Sequence, residues 1–306
     1  MLEQGVKKDI FAKKYFFIII GSPIIFWSLV FPFIKIALEE LSPVNLTIMR
    51  LLVVCIVFLI LLIVKPNKFS KIQKKDVIPI FLVGFLGIVI YHLGLNYGEQ
   101  YISASAASVI IATIPIFVVI LAAIFLKEKI TLKIVLGVLL SLLGVVVIST
   151  VGRADNLFEI KYISGALAVL LASVLGAGYT VAGKKLLQRY SALSLTVYVC
   201  LIGSLGLIPF ISNSLFEEVA AMSLTCWSVV IFLGIFPTVI GYVLWYVALE
   251  IKSASEISIY LYFIPVLSTI ISYILFRDEI TWLFVFGGAL VILGLHVVNK
   301  QSSKTV

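Results

Sequence analysis

The chain has 306 residues, of which 62% are hydrophobic and only 12% are charged, with a mean hydropathy of +1.22. Soluble domains carry about 25% charged residues, so this composition excludes a soluble globular protein and indicates an integral membrane protein. The formal net charge of +8 does not point to nucleic acid as a partner. The lysines cluster in short segments between apolar stretches, where basic residues set the orientation of membrane helices.

Ten apolar stretches follow one another along the chain, each close to the ~20 residues that a helix needs to cross a bilayer. We therefore expect an all-α integral membrane protein with ten transmembrane helices, over residues 15–36, 44–64, 77–97, 103–126, 131–150, 162–183, 194–211, 227–249, 256–276 and 282–299. The first stretch follows several lysines, as a signal peptide would, but it is too long and no cleavage site follows it. The short connections leave no room for a soluble domain.

The cysteines Cys55, Cys200 and Cys226 lie in or beside apolar stretches. Their number is odd and their spacing matches no metal motif, which favours packing residues over disulfides or metal ligands. We expect neither a metal nor a cofactor.

The second half of the chain repeats the first. Residues 103–147 align with residues 253–297 at a constant offset of 150, and the informative matches are Ser103/Ser253, Pro115/Pro265, Thr131/Thr281, Gly137/Gly287 and Gly144/Gly294. Helices 1 and 6 align more weakly at an offset of 149, through Lys35/Lys184 and Ser42/Ser191. A duplicated membrane unit is a common ground plan of transporters. The expected five-helix units are residues 1–151 and 152–306.

The basic residues predict the orientation. Most lie on the side that carries both termini, and the opposite side holds only Lys35, Arg50, Arg153, Lys161 and Arg277. The positive-inside rule then places both termini in the cytoplasm, in a protein of the cell membrane. Because each unit has an odd number of helices, the two units enter the membrane in opposite orientations and form an inverted repeat. Loop 127–129 is then cytoplasmic, and its counterpart 277–279 lies outside.

Several short motifs recur in order along the chain. They are 27–35, Ser42-Pro43 and Arg50, then Ser103-Ala104-Ser105, Ile114-Pro115, Glu128-x-x-Thr131 and Gly137…Gly144, and again Ile264-Pro265, Asp278-x-x-Thr281 and Gly287…Gly294. This set resembles the EamA-type members of the drug/metabolite transporter superfamily over nearly the whole chain. The resemblance implies a ten-helix inverted-repeat fold with a central cavity, and transport of small metabolites, commonly export of amino acids or related compounds. The sequence departs from the family at Lys127 and Arg277, where glycine often precedes the loop acid.

Polar and aromatic side chains inside the spans are candidates for a substrate cavity, because they are costly in lipid unless they meet a partner or water. The candidates are Trp27, Tyr91, His92, Tyr179, Tyr242 and Trp245. His92 could bind a proton or a polar substrate, or it could be a packing histidine bonded to a neighbouring helix. Its repeat counterpart is Tyr242 in one register and Gly241 in the other. The alternative for the aromatic rings is an interfacial belt or packing against lipid.

Carboxylates are sparse within the predicted spans, which weakens the case for obligate proton coupling. Glu256 is the only one, and we expect it to be a helix-start acid with Ser253 or Ser255 as the cap. The alternative is a carboxylate that takes part in transport. Glu99 and Glu250 stand at loop edges and are expected to be solvated.

Prolines and glycines predict matched features of the two units. Pro115 and Pro265 occupy equivalent places and predict a pair of helix bends. Gly137 and Gly144, like Gly287 and Gly294, are seven residues apart on one helix face, which predicts close helix packing. If these helices pack together, they could also support a homodimer.

The expected function is that of a secondary transporter, not an enzyme. It would move a small metabolite, an amino acid or related compound, outward across the cytoplasmic membrane by alternating access. The alternatives are an uptake permease or exchanger for another small polar or cationic metabolite. A membrane-embedded enzyme is disfavoured because no cluster of His, Asp, Glu or Cys stands near one membrane face, and the chain has no Walker motif. The expected partners are the substrate and the lipid bilayer.

Overall fold

The computed structural model describes residues 15–149, 160–276 and 282–302. Within these ranges the chain is helical, with turns and short loops and no strand. Some expectations concern residues outside these ranges, namely those for the terminal lysines Lys7, Lys8, Lys13, Lys14 and Lys304, for Arg153, for 277–279 and for Thr281.

In the part of the chain that the structure describes, eight helical segments are long and apolar enough to cross a membrane. They are α1 (Phe16–Ala37), α2 (Pro43–Val64), α3 (Lys74–Tyr101), α4 (Ala104–Phe125), α6 (Ile160–Leu186), α7 (Ala192–Phe210), α9 (Leu224–Ile251) and α10 (254–276). The remaining helices are α5 (Leu132–Ser149), α8 (Asn213–Ala221) and α11 (Trp282–Ser302). The apolar parts of α5 and α11 are shorter, Leu132–Gly144 and Val285–Gly294. The sequence did not predict the short helix α8.

Serine residues cap the starts of five helices. Each accepts a hydrogen bond from the backbone N–H three residues further on, which satisfies a donor that the first helical turn leaves unpaired. The caps are Ser42, Ser103, Ser191, Ser223 and Ser253. Four of them form two repeat-related pairs. The carboxylate of Glu256 accepts in return from the backbone N–H of Ser253 at 3.2 Å, so the expected helix-start role of Glu256 is confirmed.

Irregular turns interrupt the helices at matched places in the two halves. A π-helical turn, in which the chain takes one extra residue per turn, covers Phe85–Ile90 in α3 and Gly234–Ile240 in α9. Helix α4 is interrupted just before Ile114–Phe125, and α10 passes through a 3-10 turn at Ile259–Tyr262. Pro115 and Pro265 each lie in the first turn after such an interruption, where the missing N–H of a proline is best tolerated.

Helices α5 and α11 pack directly against each other through their glycines. A Cβ atom on Gly144 would lie 2.4 Å from the carbonyl oxygen of Gly287, and one on Gly294 would lie 2.6 Å from that of Gly137. Since both neighbours are backbone atoms, only glycine permits this approach. The hydroxyl of Ser141 donates across the contact to the carbonyl of Val291 at 3.3 Å.

Helices α1 and α6 join the two halves. Helix α1 packs against α9 and α10 of the second half, and α6 packs against α3 and α4 of the first half. The interior between these helices belongs to neither half alone.

Side chains in the loops also link distant segments. Arg189 forms an ion pair with the buried Asp76 at 2.9 Å, and the hydroxyl of Tyr190 donates to the same carboxylate at 2.8 Å. Elsewhere the exposed carboxylate of Glu40 accepts from the backbone N–H and the hydroxyl of Ser223, at 2.7 and 2.6 Å. The loops are therefore anchored to one another and do not only connect helices.

Candidate functional site

A cavity lies among the helices that join the two halves, with about 650 Å³ of space between protein atoms, part of it open to solvent. All six candidate residues line it, namely Trp27, Tyr91, His92, Tyr179, Tyr242 and Trp245. They come from α1, α3, α6 and α9, so both halves contribute. Their role in binding a substrate stays a prediction. Tyr97, by contrast, is 40% exposed and is not among the residues that line the cavity.

Four aromatic rings that line the cavity form one wall, and a fifth ring, that of Tyr246, packs against them. Trp27 meets Trp245 and Tyr242 edge-on, with ring centroids 5.2 and 6.0 Å apart. Tyr179 lies 5.3 Å from Tyr242 and stacks on Tyr246 at 4.9 Å, with the two ring planes 8° apart. Such contacts fix ring orientations and leave flat, polarisable faces towards a ligand.

Hydrogen bonds hold the indole groups in place. The Nε1 of Trp27 donates to the carbonyl of Pro237 at 2.9 Å, and this carbonyl belongs to the π-helical turn of α9. The Nε1 of Trp245 donates to the hydroxyl of Thr180 at 3.3 Å. Because both indole N–H groups already have partners in the protein, these tryptophans offer a ligand mainly their ring faces.

His92 follows the π-helical turn of α3 and is 1% exposed. Its Nδ1 lies 2.7 Å from the carbonyl of Ile88, and a carbonyl can only accept, so Nδ1 carries a proton. Its Nε2 lies 3.4 Å from the hydroxyl of Tyr242. The histidine thus bonds within its own helix and contacts a neighbouring one, as the packing alternative expects, while it also lines the cavity.

Arg50 is the cavity residue that sequence reasoning missed. It was counted as a basic residue at an outer helix end, but the structure buries it at 2% exposure in the cavity wall. Its Nε donates to the hydroxyl of Thr238 at 3.0 Å. Its Nη1 is buried and has no hydrogen-bond partner among the described residues. The signal was present in the sequence, because Arg50 is a charged residue inside an apolar span.

Glu99 was expected to be solvated, and this expectation is wrong. Helix α3 continues to Tyr101, and Glu99 is 0% exposed. Neither of its carboxylate oxygens forms a hydrogen bond within the described part of the chain, but the charges of Lys35 and Arg50 act on the group. The contact that Lys35 makes here is with the backbone carbonyl of Glu99, not with the carboxylate. Glu250 is exposed, and its carboxylate accepts from the backbone N–H of Ala192 at 2.8 Å.

Two lysines repeat one arrangement at the helix ends. The Nζ of Lys35 donates to the backbone carbonyl of Glu99, and the Nζ of Lys184 donates to the backbone carbonyl of Leu249. Glu99 and Leu249 are repeat counterparts at an offset of 150. Cations at the carboxyl ends of helices satisfy carbonyls that have no partner within the helix. The two halves thus share the contact between a lysine and a helix-end carbonyl. They differ at the counterpart position itself, where the first half has the buried carboxylate of Glu99 and the second half has Leu249.

A second polar cluster lies where the loop after α4 meets the start of α10. The carboxylate of Glu128, after α4, accepts from the backbone N–H groups of Ala254 and Ser255 at 2.8 and 3.1 Å and from the hydroxyl of Ser255 at 2.7 Å. A carboxylate at this place complements the positive end of the α10 dipole. Among the residues that the structure describes, no group of three or more His, Cys, Asp or Glu side chains could hold a metal ion.

Comparisons with known proteins point to one family. The sequence profile of the EamA-like transporter family matches residues 13–150 and again residues 163–300. An uncharacterised transporter of Archaeoglobus fulgidus is 38% identical over 93% of this chain and 98% of its own length. A protein of Streptantibioticus cattleyicolor described as a probable terminal-alkyne amino-acid exporter is 29% identical over 91% of each chain. A crystal structure with 19% identity superposes with a TM-score of 0.73 over 94% of this chain and 97% of the other, which shows a shared fold.

Proposed function

We propose that this protein, which belongs to the EamA-like transporter family, is a secondary transporter that works by alternating access in the cytoplasmic membrane. Its membership makes it a multi-pass membrane transporter and not an enzyme. We propose ten membrane spans in total, of which α5 is the fifth and α11 the tenth. They form two inverted units over residues 1–151 and 152–306. Both termini would then lie in the cytoplasm. A homodimer through the outer faces of α5 and α11 is a separate part of the proposal.

The observation that carries the proposal is contact between repeat counterparts. His92 contacts Tyr242, and Ser141 bonds to Val291, and each pair is separated by 150 residues. Two groups related by a two-fold axis can touch only where they lie at that axis. The two contacts therefore support a pseudo-two-fold axis that runs between the halves and past the cavity, which is the arrangement that alternating access uses.

The lining of the cavity supports a substrate with both polar and aromatic or apolar parts. Flat aromatic faces line one wall, and Arg50 and His92 provide polar groups beside them. The relative described as a probable terminal-alkyne amino-acid exporter matches 91% of this chain. We propose export of an amino acid or related compound, with uptake or exchange of another small polar metabolite as the alternative direction and mode.

Flux in proteoliposomes tests this function. Purified protein is reconstituted, and counterflow of a labelled panel of amino acids, amines, sugars and nucleotides is followed with and without a pH gradient. We expect saturable flux that Trp245→Ala reduces at least tenfold, while Trp282→Ala does not change it, because Trp282 is 73% exposed. Absence of flux for every compound would refute the proposal.

Thiol labelling tests the orientation. Single cysteines replace Lys71 and Glu217, both exposed, in a background without native cysteines. An impermeant reagent added to intact cells should label position 217 and not position 71. Labelling at position 71 alone would reverse the proposed orientation.

A further inference from the structure

The strongest unassigned feature of the cavity is the guanidinium group of Arg50. A positive charge in the interior of a membrane protein is tolerated only where it is paired, hydrogen-bonded or in contact with water. Thr238 satisfies the Nε, but Nη1 is buried without a hydrogen-bond partner among the described residues. Native proteins rarely leave such a donor unpaired, so this atom indicates a missing acceptor.

Among the described residues that line the cavity, no carboxylate supplies that acceptor. The ionisable side chains that line the cavity are Arg50, Tyr91, His92, Tyr179 and Tyr242. Glu99 exerts a charge on Arg50 from outside the lining, but neither of its oxygens hydrogen-bonds to the guanidinium group, and Lys35 acts on it as well. The lining that the structure describes therefore has one fixed cation and no carboxylate.

The remaining lining is suited to an apolar or aromatic body. Trp27 and Trp245 present ring faces because their N–H groups are occupied. Leu95, Ile111 and Ile264 extend the apolar surface. A ligand with an acceptor at one end and a hydrocarbon or ring at the other would meet both kinds of surface at once.

We infer that the transported compound carries a carboxylate, which binds the free Nη1 of Arg50, with its apolar or aromatic part against the Trp27 and Trp245 rings. This inference rests on the proposed function and specifies its substrate. A guanidinium N–H donates a charge-assisted hydrogen bond to a carboxylate oxygen, which is stronger than a bond between neutral groups. The same geometry excludes plain amines as good substrates, since no lining carboxylate would receive their charge.

The ligand side of the inference is tested with the unmodified protein. Binding of phenylalanine, 3-phenylpropionate, phenylalanine amide and phenethylamine is measured by titration in detergent, and their flux is measured in proteoliposomes. The two carboxylates should bind about 10- to 100-fold more tightly than the amide and the amine, the difference that one charge-assisted hydrogen bond provides. Equal affinity for the acid and the amide would overturn the inference.

The protein side is tested at Arg50. Arg50→Gln should bring the ratio of acid to amide affinity close to one, and Arg50→Lys should retain part of it, because lysine keeps the charge but not the guanidinium geometry. Lys68→Gln removes an exposed loop charge and should leave the ratio unchanged. Thr238→Val removes the hydroxyl that accepts from the Nε and should change the ratio of acid to amide affinity without abolishing it. This variant tests the same site if Arg50→Gln does not fold.

The outcomes separate the inference from the proposed function. Saturable flux of amines or sugars, with no preference for compounds that carry a carboxylate, would overturn the inference. The proposed transporter function would still stand. A full acid preference in Arg50→Gln would also overturn it. Absence of flux for every compound refutes both.

Discussion

The crossing of α3 and α7 gives a sharp test of the packing. A Cβ atom on Gly84 would lie 2.1 Å from the carbonyl oxygen of Val199 and 2.7 Å from the Cα of Gly203. Ordinary contacts of a Cβ atom begin near 3.4 Å. Because both neighbours are backbone atoms, Gly84→Ala must push the two helices apart by about 1.3 Å, the difference between 3.4 and 2.1 Å. Overpacking of this kind costs about 1–3 kcal/mol of unfolding free energy.

Gly21→Ala is the matched control, because a Cβ atom on Gly21 in α1 would meet nothing within 4 Å. Both variants gain about 1 kcal/mol from the higher helix propensity of alanine, so the steric cost appears as the difference between them. The assay is the apparent melting temperature in detergent, where soluble domains shift by roughly 2–4 °C per kcal/mol. We expect Gly84→Ala to melt several degrees below Gly21→Ala. Equal melting temperatures would refute the steric reasoning.

Three further predictions follow from the contacts. Gly183→Ala places a Cβ atom 2.4 Å from the hydroxyl of Tyr246 and should tilt that ring away from Tyr179, on which it stacks. Titration should then show weaker substrate binding, while the melting temperature falls only a little. The hydrogen bonds from Ser223, the side chain more than the backbone, lower the pKa of Glu40 from 4.5. The stability that this carboxylate contributes is therefore full above about pH 4.5 and is lost as pH falls through the lowered pKa. The melting-temperature difference between wild type and Glu40→Gln should shrink as pH decreases, and a constant difference would contradict this. Asp76→Asn removes the buried charge that the loop ion pair neutralises and should cost about 1–3 kcal/mol in a denaturation experiment. A change no larger than that in Glu39→Gln, which alters an exposed residue, would show that the pair contributes little.

The repeat could be recognised in the sequence because its informative matches are serine, proline, threonine and glycine residues. Positions that face lipid do not require these residue types. Serine caps and prolines at fixed spacing have a backbone function, so they occur at matched places even where the apolar residues have diverged. Membership in the EamA-like family, expected from these motifs, is confirmed. The six aromatic and histidine candidates were predicted one by one from their polarity within spans, and the structure brings them to one cavity.

The π-helical turns could not have been predicted. A single extra residue in a turn changes neither the composition nor the length of an apolar span enough to be seen, and Phe85–Ile90 contains no proline. Only the fold shows that the turn in α9 contains the carbonyl of Pro237, which accepts a hydrogen bond from the indole of Trp27. Turns of this kind are frequent at functional sites.

Arg50 and Glu99 were misplaced for a related reason. Counting basic residues by membrane side treats each as a loop charge, and hydropathy ends a span where polar residues begin. Both rules ignore partners that are distant in the sequence. Thr238 lies 188 residues from Arg50 and Lys35 lies 64 residues from Glu99. Both contacts join segments that a window along the sequence does not compare.

The shared cavity wall also sets an order for biosynthesis. Arg50 leaves the ribosome 188 residues before Thr238, and Trp27 leaves it 210 residues before Pro237. A nascent chain that ends before α9 therefore presents a guanidinium group and an indole to lipid or to the insertion machinery with their partners not yet made. The first half needs water, lipid phosphate or an insertion factor around Arg50 until α9 arrives. A protein truncated at this stage would expose a charge within the bilayer, where it is costly.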